Sequence, residues 1–332
     1  IAKGLGMSYE EYRKTLHGQD YLDECAEHCF NPEEALSKTG ENLFDAELIA
    51  ARMAQIMANQ GYTEPKRYLL TWDKTADKMY SKVNAFESPH GDILIIEPPM
   101  TASDGSSYKN LYVAGIDAID QGTEDSATDA DVSDFCIVIK KRIRGMDEPK
   151  YVAMYKARPR QIRAAYETAH KLLVWYNCQA MLEYTKFSFQ RYLQERKADD
   201  LLMQRPEFAM STKVKKMGSV KKLIGIPATE AVIKHGLELV AAFLEDYWYT
   251  IDFKDMLNEL LKYSYANKRK FDIIAAMECC EIGDEELYGL KPTKTVDISS
   301  QWVDFGWYRD ESGHLHHGAI PKQNKYEVQW RK

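Results

Sequence analysis

The chain has 332 residues, of which 45% are hydrophobic, and a net charge of −7. This length and composition suit one large domain or two modest domains with a sizeable core, and the negative charge excludes a protein that binds nucleic acid over its whole surface. The cysteines at positions 25, 29, 136, 178, 279 and 280 lack the spacing of a disulfide scaffold, which indicates a reducing compartment. No run approaches the ~18 apolar residues of a membrane span, and the chain begins with Ile, as a piece of a longer protein would.

Residues 1–62 predict short helices. The clearest runs from Phe44 to about Asn59, because Ile49, Met53 and Ile56 share one helical face. Near the start, Cys25-x-x-His28-Cys29 contains two or three zinc ligand types but has no partner pair elsewhere, so we interpret it as a helix face.

Residues 66–110 change to strand patterns, at 67–72 and 92–97. The apolar run 112–116 then has no polar face, which predicts a central strand. It ends in Asp117, with Asp120 three residues later. An Asp in this place is either an ordinary turn residue or a group held at the sheet edge where α/β proteins bind ligands.

The acidic loop 121–133 only faintly resembles a calcium loop, so we interpret it as a solvated segment. Strands are predicted at 134–143 and 151–156, followed by a helix that begins at Pro159. The apolar segment 178–183 ends in Glu183. Because a helix separates this segment from the earlier strands, the crossover rule predicts a parallel strand.

The second half predicts a helix at 187–196, a short strand at 201–204, and a loop at 205–227 with no acid between Phe208 and Thr229. That loop is either solvated or a contact for a polyanion. Helices follow at 229–249, from a cap at Asp252 to about 266, and from Phe271. The tail 291–332 carries aromatic residues and histidines, which we interpret as an exposed loop or partner contact.

Three acids are expected to meet at one edge of the sheet: Asp117 and Glu183 at strand ends, and Asp272 in the first turn of a helix. Without a cation they would repel one another. Oxygen ligands of this kind suit magnesium or manganese, and two such ions ~4 Å apart can cleave phosphodiesters. Nearby basic residues would then hold the phosphates.

The order and spacing of these segments resemble the nuclease domain of phage terminase large subunits, which has a ribonuclease-H-like fold. Residues 31–44 (NPEEALSKTGENLF) resemble the family's link between motor and nuclease, and 110–117 (NLYVAGID) its first catalytic strand. Leu182-Glu183 resembles the second acid, 222–229 (KLIGIPAT) the segment before a later helix, and 271–275 (FDIIA) the third acid.

This resemblance implies an α/β fold with a mixed sheet flanked by helices, an N-terminal helical linker (1–65), a nuclease domain (66–290, with a β extension at 66–110) and a C-terminal tail (291–332). It implies a DNA endonuclease that cuts concatemeric viral DNA with two Mg²⁺ or Mn²⁺ ions, held by Asp117, Glu183 and Asp272. No acid follows Asp272 before Glu278, so Asp120 is the candidate fourth ligand. The residues expected to bind DNA are Lys213, Lys215, Lys216, Lys221, Lys222, Lys268, Arg269 and Lys270.

The expected partners are double-stranded DNA, the motor domain of the same full-length protein, the portal and the small terminase subunit, in the host cytoplasm during virion assembly and without a membrane. The chain contains no G-x-x-x-x-G-K-[ST] loop, so it should not hydrolyse ATP. Two alternatives stay open: another ribonuclease-H-like nuclease of the resolvase or transposase type, and a packaging module that binds DNA or portal without cutting.

Overall fold

A computed structural model describes most of the chain. The described residues are 8, 9, 12, 15, 42–76, 78–103, 107–119, 133–143, 147–184, 187–210, 223–263, 271–294, 305–309 and 314–319. The chain divides into two compact units, Ile1–Thr293 and Lys294–Lys332. The roles that we predict for 1–65, 66–290 and 291–332 stay predictions. Among the described residues, no helix has the length and apolar character needed to cross a membrane.

The helices are α1 (Ala46–Met57), α2 (Ile162–Tyr176), α3 (Ser188–Glu195), α4 (Glu230–Tyr247), α5 (Lys254–Lys262) and α6 (Asp272–Glu286), with short 3-10 helices at Asp199–Leu201 and Trp248–Thr250. The strands are β1 (Lys66–Trp72), β2 (Val83–Glu87), β3 (Ile93–Ile95), β4 (Tyr108–Lys109), β5 (Tyr112–Asp117), β6 (Phe135–Lys141), β7 (Lys150–Ala157), β8 (Gln179–Leu182), β9 (Thr293–Lys294), β10 (Phe305–Arg309) and β11 (Leu315–Ala319). In the C-terminal unit, β10 and β11 form an antiparallel hairpin.

The main sheet has seven strands in the order β2-β1-β3-β7-β6-β5-β8. Its neighbours are antiparallel except β5 and β8, which are parallel. The meander β5-β6-β7 and the crossover through α2 to β8 confirm the predicted strands and the predicted parallel pairing. The fold is therefore a mixed α/β sheet flanked by helices, consistent with the ribonuclease-H-like class.

Two hydrophobic layers cover the sheet. Along β5, Tyr112, Ala114 and Ile116 face the layer of α2 and α3, whereas Val113 faces the layer of α4, α5 and α6. This alternation follows from the period of two in a strand. Because both faces are covered, every residue of β5 is buried, as its continuous apolar run predicted.

Helix α6 packs closely against β5. A Cβ added to Gly115 would lie 2.0 Å from the carbonyl oxygen of Ala276 and 2.3 Å from the amide nitrogen of Cys280. Gly283, one turn from the end of α6, faces Val113, near the start of β5. Helix α6 therefore runs antiparallel to β5, and its N-terminus lies at the end of β5 that carries Asp117.

The far end of α6 is fixed by buried charges. The Lys140 ammonium group on β6 pairs with Glu281 and Asp284, and Tyr151 donates a 2.6 Å hydrogen bond to Glu281. Burial alone would lower the pKa of Lys140, but the two carboxylates raise it, so the lysine stays charged. Arg142 donates to the carbonyl oxygen of Leu287 at 2.7 Å, which satisfies an orphan acceptor at the helix C-terminus.

Two local predictions are wrong. Asp252 does not cap a helix, because its carboxylate pairs with the buried Arg52 of α1 and α5 begins at Lys254 after Phe253. Residues 201–204 form no regular strand, since Asp199–Leu201 is a 3-10 helix and Leu202 makes only an isolated parallel bridge to Ala180. Strand β2 was not predicted, because most of its residues are exposed and its sequence lacks a clear alternation.

The packing of α6 predicts that Gly115→Ala destabilises the protein by roughly 3 kcal/mol, because the new methyl group overpacks the backbone of α6. Chemical denaturation of both proteins measures this change in the free energy of unfolding. Gly61→Ala is the control: this glycine has φ +55° and open space around it, so alanine there should cost only roughly 1–2 kcal/mol from backbone strain. Equal costs at the two positions would contradict the close approach.

A second feature is the buried His170 on α2, which is 1% exposed. Its ring lies 4.8 Å from that of Trp72 and 6.0 Å from that of Tyr192, and neither ring nitrogen has a hydrogen-bond partner within the described part of the chain. Burial, together with Arg196, lowers the pKa of His170 from 6.5 to about 4. The folded protein therefore holds a neutral imidazole.

This environment predicts an acid-dependent loss of stability. Because the folded pKa lies below the unfolded value, protonation favours the unfolded chain, and stability falls as the pH drops from about 6.5 towards 4. His170→Phe should reduce that loss, measured as the change in unfolding free energy between pH 7 and pH 4.5. The matched variant His90→Phe, at an exposed position, should keep the wild-type dependence. Identical pH profiles for His170→Phe and wild type would contradict a neutral buried histidine.

Candidate active site

A row of polar side chains crosses the sheet at the C-terminal end of β5. Asp117 lies opposite Cys136 of β6, and Cys136 lies opposite Lys156 of β7. On the other side, Leu182 pairs with Ile116 and the Glu183 amide donates to the Ile116 carbonyl at 3.4 Å, so Glu183 is the next neighbour of Asp117. Directly opposite residues point to the same face of a sheet, and all four side chains therefore share one face.

That face is the one covered by α6. Gly115 lies against α6, and Asp117, two residues further along the strand, points the same way. Met181 also contacts α6, at Gly283, so Glu183 points to this side as well. Helix α6 begins at Asp272, and its antiparallel course brings this residue to the same edge. The partial positive charge of a helix N-terminus favours carboxylates there.

Two buried cysteines lie near these acids, as the effects of the acids on the pKa of each thiol indicate. Burial raises the pKa of the Cys136 thiol well above its usual value, and the charges of Asp117 and Asp272 both add to this shift. Burial also raises the pKa of the Cys279 thiol, with contributions from Glu183 and Asp117. Each thiol is thus near two of the three predicted acids. Both cysteines are free and buried, so they pack as small hydrophobic residues.

Two residues that the sequence did not single out complete the site. The Lys156 ammonium group lies 2.7 Å from Glu259 and 3.2 Å from Asp272, and 3.9 Å from Asp134. Glu259 comes from α5 and also accepts the backbone N–H of Ile273 at 3.0 Å. Asp272 accepts the backbone N–H of Asp134 at 3.2 Å. The sequence offered one weak signal, a lysine at an inward position of a buried strand.

The site carries an excess of negative charge. Burial raises the pKa of Glu259, against the opposing effect of Lys156. Burial also raises the pKa of Asp134, and the Asp272 carboxylate adds to it. Burial lowers the pKa of Lys156, but Glu259 and Asp272 outweigh burial and raise it. The acids of this edge are Asp117, Glu183, Asp272, Glu259 and Asp134, and the described cations beside them are Lys156 and Arg158.

The donor chemistry fits a hard divalent cation. Asp117 and Asp272 are 5% and 6% exposed, and buried carboxylates in excess over cations favour the binding of a positive ion. The present arrangement is not a finished metal cage: within the described residues, no group of three or more His, Cys, Asp or Glu side chains is placed to hold a metal ion. At Asp272 the partner cation is the Lys156 ammonium group instead.

Several predicted site residues lie outside the described residues. These are Asp120, Lys213, Lys215, Lys216, Lys221, Lys222, Lys268, Arg269 and Lys270. At the beginning of the basic loop, Arg205 is described: its guanidinium group lies 4.4 Å from the ring centre of Tyr184, the residue after Glu183. The adjacent Phe187 is 54% exposed. A cation and two aromatic rings therefore border the acidic edge.

Fold and site together define a mixed α/β protein with a cation-attracting acidic edge at the end of its central strand. No protein-family model matches the chain, and no curated protein matches it either. Among solved structures, the chain is similar to the large terminase nuclease from the thermophilic phage G20c, with 11% sequence identity and a TM-score of 0.31. The match covers 71% of this chain and 82% of that chain.

Proposed function

We propose that the chain is a metal-dependent DNA endonuclease, the nuclease part of a viral genome-packaging terminase that cuts concatemeric double-stranded DNA. The observation that supports this proposal is a pair of buried carboxylates, Asp117 and Asp272, at the edge of the sheet where α6 begins. A site of this composition attracts divalent cations and repels phosphate unless a cation is bound. The terminase assignment rests on the resemblance of the segments quoted above.

In this proposal Asp117, Glu183 and Asp272 hold two Mg²⁺ or Mn²⁺ ions, with Asp120 as a further ligand. Metal ions in such sites activate water and stabilise the leaving oxygen of a phosphodiester. The contribution of the chain itself is to fix the carboxylates at the ends of rigid elements, which limits the reorganisation needed when metal and DNA bind.

A second candidate is a packaging module that binds DNA or portal without cutting. The ion pair between Lys156 and Asp272 favours it, because an acid neutralised by a lysine has less need of a metal. A plasmid-nicking assay with manganese separates the two functions. If nicking occurs, a comparison of linear duplex with branched DNA separates a terminase from a resolvase.

Asp117→Asn should abolish manganese-dependent nicking and keep the fold, because asparagine has nearly the same shape but lacks the charge that binds the cation. In wild type, millimolar manganese should raise the melting temperature, since a ligand that is present at a hundredfold excess over its Kd stabilises the folded state by roughly 2.7 kcal/mol. Asp117→Asn should remove this rise.

Asp246→Asn is the control for that experiment, because Asp246 is an exposed acid on α4, a helix that carries none of the five acids of this edge. It should keep both nicking and the manganese-dependent stabilisation. Substantial manganese-dependent nicking by Asp117→Asn would show that Asp117 is not the primary ligand. An unchanged wild-type melting curve would argue against a metal site altogether.

We also propose that the basic loop 205–222 and Lys268-Arg269-Lys270 contact the DNA backbone without reading its sequence. Each phosphate contact releases counterions, so log affinity should fall with log salt by about 0.9 per contact. Neutralising Lys213, Lys215 and Lys216 together should weaken binding equally for all sequences and reduce that slope by up to roughly three units.

A matched triple variant tests whether DNA binding depends on the position of the lysines or only on the net charge of the protein. Lys74, Lys78 and Lys82 are exposed lysines around the turn between β1 and β2, and their neutralisation makes the same change in net charge. Fluorescence anisotropy with one labelled duplex, measured over a range of salt concentrations, compares the two triple variants. Equal salt slopes in both variants and wild type would show that the loop does not contact DNA.

A further inference from the structure

At the acidic edge, the ammonium group of Lys156 lies among the carboxylates as a bound metal ion would. The Lys156 ammonium group contacts carboxylates from separate parts of the chain, Glu259 of α5 at 2.7 Å and Asp272 of α6 at 3.2 Å. Asp134, just before β6, is 3.9 Å away. Oxygen atoms from several elements around one compact positive charge also make the ligand set that a hard divalent ion takes.

The carboxylates are held independently of the lysine. The Ile273 amide donates to Glu259 at 3.0 Å, and the Asp134 amide donates to Asp272 at 3.2 Å. Their side chains are only 15% and 7% exposed. If the ammonium group left, both carboxylates would keep these backbone donors, and an uncompensated negative charge would remain.

The lysine itself has a route to solvent. Its side chain is 26% exposed, whereas the side chain of Lys140, which pairs with Glu281 and Asp284, is 4% exposed. A lysine side chain has a flexible four-carbon stem and a strongly hydrated head group, so Lys156 can exchange its carboxylate partners for water at modest cost. Lys140, enclosed at the other end of α6, cannot.

We propose that Lys156 is a resident cation of the proposed metal site: it neutralises Asp272 and Glu259 while no metal is bound, and a divalent ion that binds at Asp272 displaces it. This inference rests on the proposed metal-dependent function. The charge of Lys156 thus competes with the metal for Asp272 and Glu259.

The test replaces the charge but keeps the shape. Lys156→Met removes the ammonium group and leaves a flexible apolar stem, and Lys156→Gln is a second uncharged variant that can still donate to the carboxylates. Isothermal calorimetry with manganese should show binding at least about tenfold tighter than wild type for both variants. A neighbouring charge changes the affinity of a carboxylate for a proton by ~1–3 pKa units, and its affinity for another cation should change by a similar factor. In EDTA both variants should melt at a lower temperature than wild type.

Three control variants separate charge from packing. Lys156→Arg keeps the charge, so its manganese affinity should stay near that of wild type. Lys150→Met removes an ion-paired lysine from the other end of the same strand, where it contacts Glu97, and should leave manganese affinity unchanged. Asp272→Asn combined with Lys156→Met should lose the gain in affinity, because the proposed ligand is gone.

Unchanged or weaker manganese binding in Lys156→Met and Lys156→Gln would overturn the inference. If wild type binds manganese and Asp117→Asn does not, that result leaves the proposed metal-dependent function standing. If wild type binds no manganese but Lys156→Met does, competition by the lysine is supported and the proposed nuclease function of the natural chain fails. If neither protein binds manganese, both proposals fail.

Discussion

The site depends on the contact between Gly115 and the backbone of α6. Because position 115 has no side chain, the helix lies directly on the central strand, and a larger residue would push the helix outward. The antiparallel course of α6 then sets its N-terminus, with Asp272, over the end of the strand that carries Asp117. A movement of α6 by one turn would shift Asp272 by about 5.4 Å, which is more than a cation shared between the two carboxylates would tolerate.

The second constraint is electrostatic. Burying Asp117 and Asp272 in one place is costly unless a positive charge compensates them. The described part of the chain supplies Lys156, Arg158 and the N-terminal end of a helix dipole, which together offset only part of the charge of the five neighbouring acids. The remaining negative potential makes the edge favour cations over anions.

The sequence predicted the parts of the site that depend on local pattern. Asp117 follows a continuous apolar run, and Glu183 follows another run after a crossover helix, so their places at adjacent strand ends follow from strand period and handedness alone. Lys156 and Glu259 could not be predicted in the same way, because their contact joins β7 and α5 across about a hundred residues. The prediction that Asp252 caps a helix was wrong for the same reason. Aspartate is a good cap residue, but the Asp252 carboxylate pairs with Arg52, which is distant in the sequence.

Two lysines pair with acids of α6, one near each end of the helix, and they differ in how far they are enclosed. Lys140 is enclosed by Glu281 and Asp284 near the C-terminus of the helix, and removing it would break the ion pair of the buried Glu281 carboxylate, at a high cost in stability. This end therefore acts as an anchor. Lys156 makes similar contacts near the N-terminus but remains partly exposed, so its carboxylates can change partners while the anchor holds the helix in register. In the proposed metal-binding role, the edge stays packed and partly neutralised by Lys156 while no metal is bound, and a cation would enter with the movement of one side chain instead of a whole helix or strand.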